Sequence, residues 1–191
     1  MDEYTRHADG AATVVLREED MQRALTRIAH EIAERNAGAG APSLVGIHRR
    51  GAFLARRLRD SLEQLLGTEV ALGDLDIGFY RDDVATRSDA PVVHASHIDF
   101  DVTGTTVVIV DDVLFTGRTV RAAIEALLDY GRPDRVQLAV LADRGHRELP
   151  IRPDYVGKNL PTARSERVNV RVEELDGVDE VTITQLQEAL A

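Results

Sequence analysis

Asp111 and Asp112 are adjacent carboxylates followed closely by Thr116, Gly117 and Thr119. Paired carboxylates accept hydrogen bonds from neighbouring hydroxyl groups. The N–H groups of a turn that opens a helix form an anion site, and threonine hydroxyls beside them add donors. Gly117 permits close backbone approach or a positive φ. Together these groups suit a ligand with both hydroxyls and a phosphate, such as a ribose 5-phosphate. A second candidate is Gly46-Ile47-His48-Arg49-Arg50-Gly51, where two arginines at a helix N-terminus would receive a polyanion such as a diphosphate. From these residues alone, a threonine-capped helix and a pair of solvated arginines remain open as plainer alternatives.

The elements that must position these groups follow from hydropathy. Val107 to Val110 read as a strand buried on both faces, with the two carboxylates at its carboxyl end and a turn at Leu114-Phe115-Thr116-Gly117. A helical pattern then runs over 118–130 through Val120, Ala123, Ile124, Leu127 and Leu128. Strands are expected at 12–16, 44–47, 70–77, 107–110 and 136–142, with helices over 18–35 and 52–66. Strands alternating with helices of this length predict an α/β fold with a mainly parallel sheet. In such sheets ligands bind beyond the carboxyl ends of the strands. There is no G-x-x-x-x-G-K-[ST] run and no G-x-G-x-x-G run, so neither common nucleotide fingerprint applies. After Ala142, Gly145, Pro150, Pro153, Gly157 and Pro161 break the helical rhythm. We therefore expect a single domain over 1–191, with a core at about 18–142 and a small hood built from about 1–17 and 143–191.

Composition narrows the function classes. With 191 residues, 43% hydrophobic and 29% charged, the chain suits one well-cored domain with an appendage. No apolar stretch approaches the roughly 20 residues of a membrane span, so no membrane partner is expected. The N-terminus Met1-Asp2-Glu3-Tyr4 lacks a basic-then-apolar signal, and with no cysteine there are no disulfides or thiol nucleophile; a cytoplasmic protein is expected. A net charge of −10 argues against general nucleic-acid binding but permits a local basic surface. Lys158 is the only lysine among 23 Lys and Arg residues, a hint that an ammonium is wanted there.

Three further segments could carry function. Residues of about 81–96 are polar and irregular, and Tyr80-Arg81-Asp82-Asp83 at their start reads as a lid whose Arg81 would neutralise diphosphate on closing. Transfer at a sugar's anomeric carbon passes through an oxocarbenium-like state that must be kept from water. On the 18–35 helix, Met21, Ala24, Leu25, Ile28, Ala29 and Ile32 form an apolar stripe, while Arg23, Thr26, Arg27 and His30 share the opposite face. That polar face suits either solvent or an RNA backbone with splayed bases. The segment from Asp143 to Asn159 adds His146 and Arg147, too polar for a core.

The run Val107 to Thr119 resembles the 5-phosphoribosyl 1-diphosphate (PRPP) motif of type I phosphoribosyltransferases. The longer agreement is with the bifunctional pyrimidine-operon regulator and uracil phosphoribosyltransferase family, PyrR. It is carried by Ala24-Leu25-Thr26-Arg27-Ile28-Ala29-His30-Glu31, Tyr80-Arg81-Asp82-Asp83, Thr116-Gly117-Arg118-Thr119-Val120-Arg121, Gly131-Arg132-Pro133, Asp143-Arg144-Gly145-His146-Arg147-Glu148-Leu149-Pro150 and Tyr155-Val156-Gly157-Lys158-Asn159. Two segments depart from the family's pattern: Arg49 stands where threonine is usual, and Gly78-Phe79 where Thr-Leu is usual.

The resemblance implies a type I phosphoribosyltransferase fold and the reaction of uracil with PRPP to give UMP and diphosphate, with Mg²⁺ on the diphosphate. It implies a PRPP-binding stretch of Val108, Ile109, Val110, Asp111, Asp112, Val113, Leu114, Phe115, Thr116, Gly117, Arg118, Thr119 and Val120. Within it Asp111 and Asp112 would hold the ribose hydroxyls, and these two with Arg81 would be the catalytic set. His48, Arg49, Arg50 and Gly51 would hold diphosphate, and Val156, Gly157, Lys158 and Asn159 would receive uracil. It further implies binding of pyr operon mRNA in response to UMP or UTP, through Thr26, His30, His146, Arg147 and Lys158 with Arg23 and Arg27 beside them, in a homodimer or dimer of dimers. The alternatives are a salvage uracil phosphoribosyltransferase without RNA binding, and an RNA regulator that uses the pocket only as a nucleotide sensor.

Overall fold

A computed structural model describes residues 12–78 and 96–185. The elements in chain order are β1 (Thr13–Arg17), α1 (Glu18–Arg35), β2 (Ser43–Ile47), α2 (Arg50–Leu66), β3 (Leu72–Leu75), β4 (Thr106–Leu114), α3 (Arg118–Leu128), β5 (Arg135–Asp143), β6 (Tyr155–Asn159), β7 (Glu166–Arg171), α4 (Glu173–Asp176) and β8 (Glu180–Gln185). Tyr80, Arg81, Asp82 and Asp83, most of the expected lid and the first eleven residues lie outside the described residues. Among the described residues no helix is long and apolar enough to cross a membrane.

Five parallel strands form the main sheet in the order β3-β2-β4-β5-β6. Its central strands β2, β4 and β5 are largely apolar runs because both faces are covered. Along β4, Val108 and Val110 pack into one core with α1 and α2, while Val107 and Ile109 pack into the other with α3. Successive side chains of a strand point to opposite faces, so a single β-branched run serves both cores. The expected apolar stripe of α1 is fully buried, from Met21 to Ile32. Asp20 accepts the Arg17 N–H at 3.0 Å and, with Glu18 and Glu19, complements the positive end of the helix.

The strand order sets the position of the site. From β2 the chain crosses through α2 to β3, in one direction along the sheet; from β4 it crosses through α3 to β5, in the other. Right-handed crossovers in opposite directions place α2 and α3 on opposite faces. The carboxyl ends of β2 and β4 therefore diverge, leaving a crevice at a topological switch point.

The strand carrying the carboxylates differs from expectation. β4 runs on through Asp111 and Asp112 to Leu114, rather than ending at Val110. Its pairing with β2 stops at Gly46–Val110, but pairing with β5 continues through Asp111–Val140 to Leu114–Asp143. The Asp pair thus lies in a strand with one edge open, where polar side chains find room. The turn is correspondingly shorter, over 115–117.

The second sheet is antiparallel, in the order β1-β8-β7, and brings the N-terminal strand beside the C-terminal one. Tyr155–Asn159, assigned to the hood from sequence, is instead the edge strand of the parallel sheet, paired with β5. A built β-carbon at Gly157 would lie 2.4 Å from the Leu141 carbonyl oxygen, so glycine there lets β6 approach β5 closely. The hood is joined to α2 by two arginines. Arg50 donates from Nε and Nη2 to Asp176 (3.2 and 2.8 Å), and Arg57 grips both Glu174 and Asp179 at 2.6–3.0 Å.

Candidate functional site

Two loops meet in the crevice. The first is 48–51, leading from β2 into α2; the His48–Arg49 peptide is cis. The second runs from Asp111 to the first turn of α3. Gly51 sets their spacing: a β-carbon built on it would lie 2.4 Å from the Val110 carbonyl oxygen and 3.2 Å from Asp111 Cα. No other residue fits there without parting the two loops.

Asp111 is buried and Asp112 half-buried. Each carboxylate accepts the next backbone N–H: Asp112 N–H donates to Asp111 Oδ1 (2.9 Å) and Val113 N–H to Asp112 Oδ1 (2.8 Å). Burial pushes the Asp112 carboxyl up from its ordinary range; the Val113 amide, Asp111 and the Arg50 charge pull the other way. The two halves of the crevice are therefore electrostatically linked, the arginine of one acting on the carboxylate of the other. Asp176 in turn is held low by the fork of Arg50 that grips it.

The turn at 115–117 is fixed from outside. Gly117 has φ 92° as the cap of α3, a left-handed conformation that glycine adopts without penalty. The Thr116 carbonyl accepts the Glu148 and Leu149 N–H groups (3.0 and 3.1 Å), and the Leu114 carbonyl accepts that of Arg144 (3.1 Å). Arg147 donates to the carbonyls of Phe115 (2.9 Å), Gly145 (3.2 Å) and Ile151 (3.1 Å) and pairs with Asp143. Arg144 lies 4.0 Å over the Phe115 ring, and His146 meets that ring edge-on. The segment 144–149 thus shapes the turn, leaving the amides that lead into α3 on an otherwise rigid frame. Arg118 is exposed and pairs with Glu148, Thr119 is half-buried, and Val120 is buried in the core beneath.

The residues expected to meet RNA separate into two groups. Thr26 and His30 are exposed on α1; each bonds within the helix, Thr26 Oγ1 to the Gln22 carbonyl and His30 Nδ1 with the Thr26 carbonyl. Lys158 is exposed on β6, close enough for its charge to reach Asp20 of α1. Arg23 is exposed but paired with Asp20 and Glu19. By contrast, Arg27 donates from Nη2 to the carbonyls of Val156 (2.9 Å) and Gly157 (2.7 Å), tying α1 to the edge strand. His146 is bonded to the Thr162 carbonyl, and Arg147 is only 22% exposed and committed as above.

Sequence reasoning missed the partners that hold these groups. Asp143 lies four residues before Arg147, and the turn through Gly145 (φ 78°) and His146 (φ 60°) brings the two together; Gly145 is the one local signal of it. Asp176 and Asp74, which hold Arg50 and His48, lie 126 and 26 residues from their partners, and nothing local signals them.

Among the described residues no group of three or more His, Asp or Glu could itself hold a metal ion. The Asp111 and Asp112 carboxylates beside the basic loop 48–51 are oxygen donors of the kind a hard cation accepts alongside waters and ligand oxygens.

The chain matches the family model described as "Phosphoribosyl transferase domain" over residues 12–176. The bifunctional protein PyrR of Roseiflexus sp. (strain RS-1) is 61% identical over 172 residues, covering 90% of this chain and 94% of that protein. Those of Halalkalibacterium halodurans and Chloroflexus aurantiacus are 53% and 59% identical, covering 90% and 88% of this chain and 97% and 93% of theirs. Among solved structures, the hypoxanthine phosphoribosyltransferase of Trypanosoma cruzi aligns with a TM-score of 0.69 over 90% of this chain and 95% of that one, at 18% identity. A hypoxanthine phosphoribosyltransferase from Staphylococcus aureus aligns at 0.65 over 93% of this chain and 94% of that one, at 22% identity. These structural likenesses establish the fold.

Proposed function

The chain belongs to the phosphoribosyl transferase domain family and, within it, to the PyrR proteins, and from that premise we propose that it regulates pyrimidine biosynthesis genes and catalyses uracil plus PRPP to UMP plus diphosphate. The observation that carries the catalytic half is the crevice itself. It sets paired carboxylates, a helix-opening turn and a basic loop around one space at the switch point of a parallel sheet, with Gly51 keeping the two loops in contact.

Each part of PRPP has a counterpart. The Asp111 and Asp112 carboxylates take the ribose hydroxyls. The amides from Phe115 to Thr119, with the Thr116 and Thr119 hydroxyls, take the 5-phosphate at the N-terminus of α3. His48 to Gly51 take the diphosphate, whose departure is eased by the charge of Arg50, and Arg81 adds a second. Val156 to Asn159 receive the uracil ring, largely through backbone groups. As the bond from the anomeric carbon to diphosphate lengthens, positive charge develops on the ribose, and the nearby carboxylates stabilise it. Hydroxyl donors reaching Asp112 favour its ionised form, so ribose binding offsets the burial that pushes its carboxyl up. The diphosphate of PRPP, beside the loop 48–51, would hold Mg²⁺ together with waters, and the ion would supply charge neutralisation of the leaving group.

For the regulatory half, Arg23, Thr26, His30 and Lys158 form the most exposed part of the RNA face, and Arg27 links it to the uracil strand. UMP or UTP in the crevice promotes binding of pyr operon mRNA. The protein acts in the cytoplasm as a homodimer or dimer of dimers. One pair of measurements tests both halves: UMP formation from uracil, PRPP and Mg²⁺, and titration of the pyr leader RNA with and without UMP at fixed salt. Turnover without UMP-dependent RNA binding selects the salvage enzyme; nucleotide binding without turnover selects the sensor.

A further inference from the structure

The loop at 48–51 has a support that lies on a different strand. Where β2 ends, the His48 N–H donates to the Leu75 carbonyl of β3 at 2.9 Å. The His48 ring Nε2 lies 2.5 Å from Asp74 Oδ1, with the two side chains 23% and 19% exposed. The same oxygen lies 3.3 Å from Nδ1 of His97, where the chain returns to the sheet edge. Asp74 and His97 also exchange both backbone hydrogen bonds, at 2.8 and 2.9 Å. Gly73 makes this approach possible, since a β-carbon there would lie 2.8 Å from the His97 carbonyl oxygen. One carboxylate oxygen therefore receives two imidazoles from separate segments, on a backbone held in register on both sides.

A carboxylate beside a polyanion site is unfavourable unless it is paired. Asp74 stands at the carboxyl end of β3, next to the diphosphate loop, so its presence calls for a compensating role. A carboxylate that takes the hydrogen of one imidazole nitrogen fixes the ring's rotation, and so anchors the backbone that carries the ring. His97, mostly exposed, braces the same oxygen from the far side. We propose that Asp74 is a positioning residue for PRPP: by anchoring the His48 side chain it fixes the course of the 48–51 loop that receives diphosphate, and it is itself held in place by His97. This rests on the reading that His48 to Gly51 receive diphosphate.

Steady-state kinetics on the full chain test it. At metal sites, removing an outer partner that orients a binding group costs on the order of 10-fold to 100-fold, and a loss at the lower end of that range applies to this loop. Asp74→Asn is expected to raise the KM for PRPP about tenfold, with kcat within about twofold of wild type and the KM for uracil unchanged. His48→Ala raises the same KM, and the double variant is no worse than His48→Ala alone, because Asp74 acts through His48. A merely structural Asp74 would give losses that add to those of His48→Ala, or that fall equally on both substrates; either result overturns the proposal. An unchanged KM for PRPP in Asp74→Asn overturns it as well. If Asp74→Asn fails to fold, His97→Ala removes only the exposed brace. It is expected to raise the KM for PRPP about twofold to threefold, and no change there overturns the proposal. Arg50→Ala separates the underlying reading: unchanged PRPP affinity in that variant removes the diphosphate assignment itself. A loss in Arg50→Ala with none in Asp74→Asn removes only the role of Asp74.

Discussion

Gly51→Ala is the perturbation that most directly tests whether the crevice works as one site. The added methyl would sit 2.4 Å from the Val110 carbonyl oxygen, whereas an ordinary contact begins at 3.4 Å. The obstacle is backbone on both sides, so no side chain can rotate away. The first turn of α2 and the open edge of β4 must part by about 1 Å. Overpacking of this kind costs about 1–3 kcal/mol, which for a chain of this length lowers Tm by roughly 2–4 °C per kcal/mol. The effect on turnover is larger, because a misplacement of about 1 Å between groups that grip one substrate costs on the order of 100-fold. We expect kcat/KM for PRPP to fall by about that factor while the folded fraction at 25 °C stays near wild type. The control is Gly40→Ala: Gly40 has φ 84° and open space around it, so alanine there strains the backbone without moving either loop. It should lower Tm modestly and leave kcat/KM unchanged. A Gly51→Ala enzyme with wild-type kcat/KM would refute the claim that the two loops act at a fixed spacing.

Other expectations follow from the same contacts. Asp112 has a carboxyl pushed up by burial, so the folded state holds its proton to higher pH than the unfolded chain. Its contribution to stability is fully present below the unfolded value near 4 and is lost as pH rises through the folded value. Asp112→Asn should therefore abolish most turnover yet raise Tm at pH 7 relative to wild type, with the gain shrinking toward pH 4; a lower Tm at pH 7 contradicts the assignment. Asp176 has the opposite sign, since the Arg50 fork holds it low: its contribution is present above about pH 4 and is lost as pH falls through the folded value. Asp176→Asn should flatten the acid limb of the stability curve measured by denaturant unfolding. Arg147→Ala removes the donor to the Phe115, Gly145 and Ile151 carbonyls. It should cost about 1–3 kcal/mol and raise the KM for PRPP, whereas Thr26→Ala should weaken RNA binding and leave PRPP kinetics at wild-type values.

Much of this arrangement is legible in the sequence, and the limits have physical causes. The stripe on α1 and the β-branched run of β4 announce themselves because each buries a face with a fixed period. The anion loops are legible because glycine and hydroxyl residues at a strand-to-helix junction have few other uses. β4 beyond Val110 is not legible, because Asp-Asp reads as a strand end; only the departure of β2 explains how carboxylates can occupy a paired strand. β6 is obscured for a related reason. Tyr-Val-Gly-Lys-Asn carries little apolar signal because it is an edge strand, with its outer side covered by α1. The residues that hold the site's arginines and histidine are illegible because a carboxylate on a distant strand leaves no mark on the loop it supports.

The expected RNA residues show how far a family resemblance carries and where geometry must take over. Resemblance places Arg27 and Arg147 beside an RNA face, yet both guanidinium groups are spent on backbone carbonyls, one on the uracil strand and one on the phosphate turn. A guanidinium that leaves these carbonyls for a phosphate gives up hydrogen bonds worth about 0.5–1.5 kcal/mol each. On the proposed reading, Arg27 joins the strand that would receive uracil to the helix that displays Thr26 and His30. A shift of Val156 and Gly157 on UMP binding would then pass through Arg27 to that helix. Ligand-dependent RNA affinity requires a differential interaction of this kind between two states. Arg27→Gln should then leave RNA affinity without UMP near wild type and reduce the UMP-induced gain. Equal loss with and without UMP would show instead that Arg27 contacts the RNA directly.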